Sequence, residues 1–181
     1  MLAIRPATRA DLPRLHPVIE RAYRGETARR GWTHEADLIE GQRTDQATLA
    51  AILDDAAECL LIAESGGIPV GCVQISDRGG GLVYLGLLCV EPTLQAGGVG
   101  KQILAAAEEA ARTHFGATAI EMTVIESRSG LIAFYQRRGY VLSGETRDFP
   151  IPLDPPLFMS VLVKPLDEIS QAKEQANAIR R

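Results

Sequence analysis

The sequence has few of the residues that bind metals or form disulfides. Its 181 residues include only three cysteines and three histidines. Cys59, Cys72 and Cys89 are odd in number, show no Cys-x-x-Cys spacing and lie in apolar stretches. This usage suits small buried side chains in a reducing cytosol. The histidines, from His16 to His114, show no metal-ligand spacing. We therefore expect a cytoplasmic protein without a metal site.

Long hydrophobic runs and a strong net charge are also absent. No apolar run approaches the roughly 20 residues of a membrane helix. The first residues carry Arg5 and Arg9 where a signal peptide has its apolar core. The formal net charge of −4 argues against nucleic acid or an anionic membrane as a partner. The length fits one domain with a proper core.

Arginine is nevertheless concentrated near the start of the chain. The first thirty residues contain Arg5, Arg9, Arg14, Arg21, Arg24, Arg29 and Arg30. A solvated helix face is one interpretation of this cluster, and attraction of an anionic ligand is the other.

Hydrophobic periodicity and turn residues predict an α+β protein with a central mixed sheet. Strands are predicted at 2–5, 59–64, 70–76, 82–90, 119–125, 140–142 and 157–163. Helices are predicted from Leu12 with a kink or break at Pro17, around 45–53 with Thr44 as cap, over 99–115, and over 129–138. Glu108 is assigned to the solvent face of the third helix, and Gly116 to its end. The strands on either side of that helix should run parallel. Residues 1–164 form the predicted domain, and 165–181 a helical or loosely ordered tail.

A glycine-rich turn joins the strand ending at Val90 to the third helix. It reads Gln95-Ala96-Gly97-Gly98-Val99-Gly100-Lys101. A strand, a glycine turn and a helix N-terminus together make an anion-binding nest that suits a phosphate-bearing ligand. The turn is not a Walker A loop, because no Ser or Thr follows Lys101, and it lacks the full Gly-x-Gly-x-x-Gly of dinucleotide folds. An ordinary strand–helix connection remains an alternative.

A second pattern, Phe134-Tyr135-Gln-Arg-Arg-Gly139-Tyr140, follows one helix and one strand later. With Gln95-x-x-Gly98-x-Gly100 and the order of elements over about residues 1–164, it resembles the GCN5-related N-acetyltransferase (GNAT) superfamily. The resemblance implies a three-layer α/β/α fold around a twisted, mixed and mostly antiparallel sheet. It also implies direct transfer of an acetyl group from acetyl-CoA to a primary amine.

The resemblance also implies roles for individual residues. Tyr135 would donate a proton to the departing CoA sulfur, and a backbone N–H near Leu88 would stabilise the oxyanion. A bulge near Gly86 would splay its strand from the one at 119–125, so that the backbone of Leu88, Cys89 and Val90 pairs with the pantetheine arm. The implied CoA-binding residues are Leu88, Cys89, Val90, Gln95, Ala96, Gly97, Gly98, Val99, Gly100, Lys101, Ser129 and Phe134. Ser129 stands where many members have Asn, and its hydroxyl can still cap the helix.

The acceptor is expected to be an amine of a small molecule or a peptide. Its pocket is assigned to the irregular segments 24–46 and 146–156. The candidate pocket residues are Trp32, His34, Glu35, Tyr84 and Phe149, with Asp45 and Asp148 as further acidic or loop candidates. The general base is left open among Tyr84, Glu121, Glu126 and Glu35. A catalytically silent CoA-binding module, supported by Ser129, and an unrelated nucleotide-binding protein are the alternatives. A homodimer is compatible with the sequence.

Overall fold

The structure, a computed structural model, describes residues 1–24, 26, 29, 35 and 41–166. Its seven strands are β1 Leu2–Pro6, β2 Glu58–Ser65, β3 Ile68–Asp77, β4 Leu82–Val90, β5 Ala119–Ile125, β6 Val141–Asp148 and β7 Phe158–Pro165. The described helices are α1 Leu12–Tyr23, α2 Gln46–Asp54, α3 Val99–Phe115 and α4 Ser129–Gln136. The strands form a mixed sheet in the order β1-β2-β3-β4-β5-β7-β6. The predicted α+β class is confirmed.

The chain divides into two compact units. The first comprises Met1–Asp77 and Leu85–Ala110, and the second comprises Arg78–Tyr84 and Ala111–Arg181. In the first unit β1, β2 and β3 pair antiparallel in sequence order. In the second, β5 and β6 both pair antiparallel with β7. The start of β4 pairs parallel with β5, which confirms the predicted parallel pair.

Helix α1 covers one face of the first unit. Its apolar face, Leu12, Leu15, Val18, Ile19 and Ala22, is buried. It packs in one cluster with residues of α2 and of strands β2, β3 and β4. The predicted break at Pro17 is wrong, because α1 runs through this residue without interruption. Pro17 lies on the exposed side, where water can solvate the carbonyl that loses its N–H partner, while the buried face keeps the helix in place.

The opposite face of the first unit is covered by α3. Gly71 and Cys72 are neighbours in β3, so their side chains point to opposite faces. Cys72 belongs to the cluster with α1. A Cβ at Gly71 would lie 2.9 Å from Ile103 Cδ1 of α3 and 2.4 Å from the Cys89 carbonyl oxygen. The first unit therefore has helices on both faces, and α3 approaches β3 too closely for any side chain at Gly71.

Two further details of the helices differ from the predictions, the cap of α2 and the burial of Glu108. Asp45, not Thr44, caps α2, because its carboxylate accepts the Thr48 N–H at 2.7 Å. The Thr44 N–H is instead bound by the Glu20 carboxylate at 3.0 Å. Helix α3 ends as predicted at Gly116, which has a φ of 62°. Its Glu108 is buried, with 8% of its surface exposed, so the assignment to a solvent face is wrong.

Other boundaries differ by a few residues. Positions 146–148 of the predicted loop belong to β6, because Thr146 pairs with Ser160 and Asp148 with Phe158 of β7. At the end of the predicted domain, Leu166 is buried and its N–H donates to the Thr118 carbonyl. The predicted tail beyond it, 167–181, lies outside the described residues.

Cys59 is only partly buried, unlike the other two cysteines. Across the described ranges, no helix combines the length and apolarity that crossing a membrane requires.

Most described arginines of the first thirty residues are paired with carboxylates. Arg5 pairs with Asp11 and Glu64, Arg9 with Asp54, Arg21 with Glu91, Arg24 with Glu35 and Arg29 with Glu26. These pairs neutralise the local charge. They favour neither a purely solvated face nor attraction of an anion by this cluster.

The Asp11 carboxylate joins β1 to the start of α1. It accepts two hydrogen bonds from the Arg5 guanidinium at 2.8 Å each, and further bonds from the Thr8 N–H and hydroxyl at 2.8 Å. The Arg5 hydrogen bonds are the main reason that the pKa of Asp11 lies well below its usual value. Since the pKa is lower in the folded protein, the stabilisation is present above about pH 4 and is lost as the pH falls below that.

We expect Asp11→Asn to lower the free energy of unfolding at pH 7 by about 1–3 kcal/mol. The asparagine side chain is neutral and has one acceptor oxygen, so it cannot accept both hydrogen bonds from the Arg5 guanidinium. Urea unfolding at pH 7 and pH 3 checks this prediction. The difference between the variant and the parent protein should shrink at pH 3, where the Asp11 carboxyl of the unfolded chain is mostly protonated while that of the folded protein is still ionised. An equal difference at both pH values would show that the charge of Asp11 does not stabilise the fold.

Candidate active site

Strand β4 bends at Leu87. This residue has a φ of 50°, a left-handed conformation that is rare for a non-glycine residue inside a strand and typical of a bulge. It lies three positions after Tyr84, where the pairing of β4 with β5 ends. The sequence therefore located the irregularity correctly, one residue after Gly86.

Side chains hold the two carbonyls at this bend. The Cys72 thiol donates to the Leu87 carbonyl oxygen at 3.5 Å, and the Tyr23 hydroxyl donates to the Leu88 carbonyl oxygen. Buried backbone groups that leave a sheet ladder need such partners. Tyr23 was not identified from the sequence, because its contact with Leu88 joins residues 65 positions apart. These two hydrogen bonds stabilise the bend and the start of the backbone that follows it.

The glycine-rich turn leads from the end of β4 into α3. The left-handed residues are Ala96, with a φ of 70°, and Gly98, with a φ of 79°. Gly97 and Gly100 do not have a positive φ, so Gly98 is the glycine of this turn with a left-handed conformation. The Gln95 side-chain amide donates to the Val90 carbonyl at 3.1 Å, which ties the turn to the strand. Gln95 is therefore a turn-forming residue in this structure.

The N-terminus of α3 fits an anionic ligand. The helix begins at Val99, so the N–H groups of Val99, Gly100 and Lys101 have no acceptor within the helix. The helix dipole favours negative charge at the same position. Nothing lies within 4 Å of a Cβ at Gly98, and the Lys101 side chain is exposed. An open helix end with free donors is what a pyrophosphate requires.

Tyr135 lies in α4 of the second unit and is buried. Its ring makes edge contacts with Phe134 and Tyr140, with ring centroids 5.2 and 5.7 Å apart. Burial, and to a lesser extent Tyr84, raises the pKa of Tyr135 above its usual value. Within the described part of the chain its hydroxyl has no hydrogen-bond partner. Tyr135 is therefore a neutral phenol with an unused donor.

Ser129 and Phe134 lie on the same helix as Tyr135. Ser129 does not cap α4, because the helix starts at Ser129 itself, with Arg128 as the preceding cap residue and no side-chain cap bond. The Ser129 side chain is exposed. Phe134 is only partly buried, and the Arg138 guanidinium stacks over its ring at 3.5 Å. Arg138 also donates to the Phe134 carbonyl at 2.6 Å, so Arg138 fixes the end of this helix.

The candidate general bases are mostly engaged with other groups. Glu121 is paired with Arg147 at 3.1 Å, and Glu35 is paired with Arg24 at 2.7 Å. Glu126 accepts the Thr146 hydroxyl at 3.2 Å. The Tyr84 hydroxyl lies 2.7 Å from the Thr123 hydroxyl in the second unit.

The predicted acceptor residues are not brought together by the described contacts. Trp32 and His34 lie outside the described residues. Glu35 is described, and its N–H donates to the Tyr23 carbonyl. Phe149 follows β6 in the second unit, where its N–H donates to the Leu157 carbonyl at 3.0 Å.

Among the residues that the structure describes, no group of three or more His, Cys, Asp or Glu side chains could hold a metal.

The chain was compared with protein families and with proteins of known structure. The family model described as "Acetyltransferase (GNAT) family" matches residues 19–140, and no curated protein matches the sequence. The ribosomal-protein-S18-alanine N-acetyltransferase of Escherichia coli has 16% identity and a TM-score of 0.71, covering 92% of this chain and 95% of its own. A putative acetyltransferase of Salmonella typhimurium with its cofactor acetyl-CoA has 17% identity and a TM-score of 0.71, covering 93% and 95%.

An N-acetyltransferase of Thermoplasma acidophilum in complex with coenzyme A has 16% identity and a TM-score of 0.71, covering 91% of this chain and 99% of its own. At these identities the structures establish the fold alone. The family model extends over more than half of the chain and includes α3, the glycine-rich turn and Tyr135. Both motifs on which the sequence resemblance depends therefore lie inside the matched region. The chain belongs to the acetyltransferase (GNAT) family.

Proposed function

We propose that the protein is a cytoplasmic N-acetyltransferase that moves the acetyl group of acetyl-CoA directly to a primary amine of a small molecule or peptide. The observation that carries the proposal is the environment of Tyr135. A buried, neutral phenol without a hydrogen-bond partner among the described residues is suited to donate a proton to a departing thiolate. Family membership and the CoA or acetyl-CoA complexes of two structural neighbours support the same chemistry.

The first unit supplies the proposed donor site. The open N–H groups at the start of α3 would bind the pyrophosphate, together with the backbone from Gln95 to Gly98. The backbone of Leu88, Cys89 and Val90 would pair with the pantetheine amides in the manner of an added strand. The Leu88 N–H, next to the bend, would stabilise the oxyanion of the tetrahedral intermediate.

Tyr135 is the proposed acid. It would protonate the CoA sulfur as the carbon–sulfur bond breaks. Phe134 and Ser129, on the same helix, are further proposed CoA contacts. Because the Ser129 side chain is exposed and free of a capping role, it is available to a ligand. Tyr84 remains the proposed acceptor-side residue, and Glu121 is disfavoured as base by its pairing with Arg147.

A thermal-shift screen followed by an amine panel tests this function. Acetyl-CoA at about a hundred times its dissociation constant should stabilise the fold by about 2.7 kcal/mol and raise Tm by about 5–10 °C. ATP and NAD should produce no comparable shift. Thiol release should then depend on an added amine. Stabilisation by ATP or NAD instead of acetyl-CoA would refute the proposal, and CoA binding without turnover on any amine would favour a silent binding module.

A further inference from the structure

A cavity of about 370 Å³ opens in the first unit, beside the bend of β4. Its described lining includes Arg43, Asp45, Thr48, Ile52, Gln74 and Leu87. The volume lies at the lower end of the range of small-molecule sites, about 300–1,000 Å³. Leu87 directly precedes Leu88, whose N–H is the proposed oxyanion donor. The cavity is therefore placed next to the backbone where the acetyl carbonyl would be held.

Arg43 brings to the cavity a guanidinium that has no carboxylate partner among the described residues. Its side chain is half-buried, and its guanidinium lies 5.0 Å from the centre of the Tyr23 ring. No carboxylate of the described residues lies within ion-pair distance of it, whereas Arg21 and Arg24 of the same unit are both paired. A half-buried guanidinium that lacks a carboxylate is a natural binding group for a carboxylate of a ligand.

The carboxylates closest in sequence to Arg43 are already occupied. Asp45 accepts the Thr48 N–H at 2.7 Å as the cap of α2, and this bond holds the pKa of Asp45 below its usual value. Glu20 accepts the backbone N–H groups of Arg43 and Thr44, each at 3.0 Å. Glu20 thus fixes the backbone of this segment rather than the guanidinium. The position of Arg43 is set while its charge remains available.

Gln74 supplies an acceptor on the sheet side of the cavity. Its Nε2 donates to the Glu58 carboxylate at 2.8 Å, and the Ser76 hydroxyl donates to the same carboxylate oxygen at 2.6 Å. Because a carboxylate can only accept, this bond sets the orientation of the Gln74 amide and leaves its Oε1 as an acceptor. Within the described residues, Oε1 has no donor. An N–H of a ligand amine would satisfy it.

We propose that this cavity binds the acceptor of the reaction, and that the acceptor is an amino acid or a similar small molecule with a carboxylate close to its amine. Arg43 binds the carboxylate, Gln74 Oε1 accepts an N–H of the amine, and the side chains of Ile52 and Leu87 contact the apolar part. This inference rests on the acetyltransferase function proposed above.

The transfer balances with the groups already named. The amine nitrogen, in its neutral form, attacks the thioester carbonyl carbon and forms the new nitrogen–carbon bond. The carbon–sulfur bond breaks, and its electron pair goes to the sulfur, which takes a proton. The surplus proton on the nitrogen leaves to water. The products are the N-acetylated amino acid and CoA with a free thiol.

The experiment compares amino acids with the amines that they yield on decarboxylation, for example leucine with 3-methylbutylamine and phenylalanine with 2-phenylethylamine. Initial rates are measured for the parent protein, for Arg43→Gln and for Arg9→Gln. Arg9 is a matched control, because its guanidinium is exposed and paired with Asp54. We expect each amino acid to have a higher kcat/KM than its partner amine. Arg43→Gln should lower kcat/KM for the amino acid about 10- to 100-fold, mainly through KM.

The decarboxylated amines should change by less than about twofold in Arg43→Gln, since they make no bond to the guanidinium. Arg9→Gln should leave all rates unchanged. Equal rates for amino acids and partner amines, or an equal loss for both in Arg43→Gln, would overturn the inference and leave the acetyltransferase function intact. Amino-acid binding is also measured by saturation-transfer NMR on the same three proteins. Binding that is absent, or that does not depend on Arg43, overturns the inference even if no amine is turned over.

Discussion

Replacing Tyr135 by phenylalanine is expected to lower kcat about 10²- to 10³-fold while leaving the affinity for acetyl-CoA within about twofold. The ring of Tyr135 packs between Phe134 and Tyr140, and a phenylalanine ring preserves those contacts. The hydroxyl itself has no partner among the described residues, so its removal leaves no known buried group unsatisfied. The variant should therefore fold normally and lose only the proton donor.

The pH dependence follows from the same environment. Because burial raises the pKa of Tyr135, the phenol stays protonated across the neutral and mildly alkaline range. At every pH below about 10, kcat of the parent protein should therefore show no decrease that comes from ionisation of Tyr135. Stopped assays of thiol release from pH 6 to pH 10, at saturating acetyl-CoA and amine, check both statements.

Tyr140→Phe is the matched control for this variant. Tyr140 is also a buried tyrosine of the second unit and contacts the Tyr135 ring, but no role in proton transfer is proposed for it. Its kcat should remain within about twofold of the parent value. Unchanged kcat in Tyr135→Phe, or an equal loss in both variants, would remove Tyr135 from the mechanism and leave its role as packing.

The parts of the fold predicted correctly are those that depend on neighbours in sequence. The apolar run of β4 and the glycine after α3 each act within a few residues. Gly116 ends the helix because its φ of 62° is costly for other residues. The Leu87 bend was located for the same reason, since a glycine inside an apolar strand marks a local irregularity. Local chemistry of this kind can be read without the tertiary structure.

Two of the errors arise where distant residues decide the outcome. Pro17 does not break α1, because packing of the helix against strands far along the chain outweighs one missing hydrogen bond. Glu108 is buried although its spacing assigns it to the exposed face. In both cases the competing interaction is tertiary and leaves no trace in a short window of sequence. The cap of α2 is a local error, because the residue that caps the helix, Asp45, directly follows Thr44.

The same limit applies to the candidate site. The glycine-rich turn and Tyr135 were found because each belongs to a contiguous motif. Arg43 and Gln74 come from a loop and from β3 and meet in one cavity only in the fold. A polar glutamine within the apolar strand 70–76 is a sequence signal for such a binding group. Binding groups for the acceptor are therefore less visible in the sequence than those for the donor.

Placing an aspartate at Gly98 is expected to weaken the binding of acetyl-CoA about 30-fold or more, which corresponds to about 2 kcal/mol. Two effects act together. The φ of 79° at Gly98 disfavours residues with a side chain. The added carboxylate would also lie at the helix end proposed to bind the pyrophosphate, where it repels the ligand and competes for the N–H groups of Val99 and Gly100. Isothermal titration with acetyl-CoA measures the dissociation constant.

Gly116→Asp is the control for Gly98→Asp, because Gly116 lies at the opposite end of the same helix, away from the proposed pyrophosphate site. Its φ is 62°, and a Cβ there also has nothing within 4 Å. Backbone strain and added charge are therefore similar in the two variants, and only their position relative to the proposed pyrophosphate site differs. Gly116→Asp should reduce thermal stability, since a negative charge at a helix C-terminus is unfavourable, yet bind acetyl-CoA like the parent protein. Equal affinity in Gly98→Asp and Gly116→Asp would mean that the pyrophosphate does not bind at the start of α3. The glycine-rich turn would then be an ordinary connection between a strand and a helix.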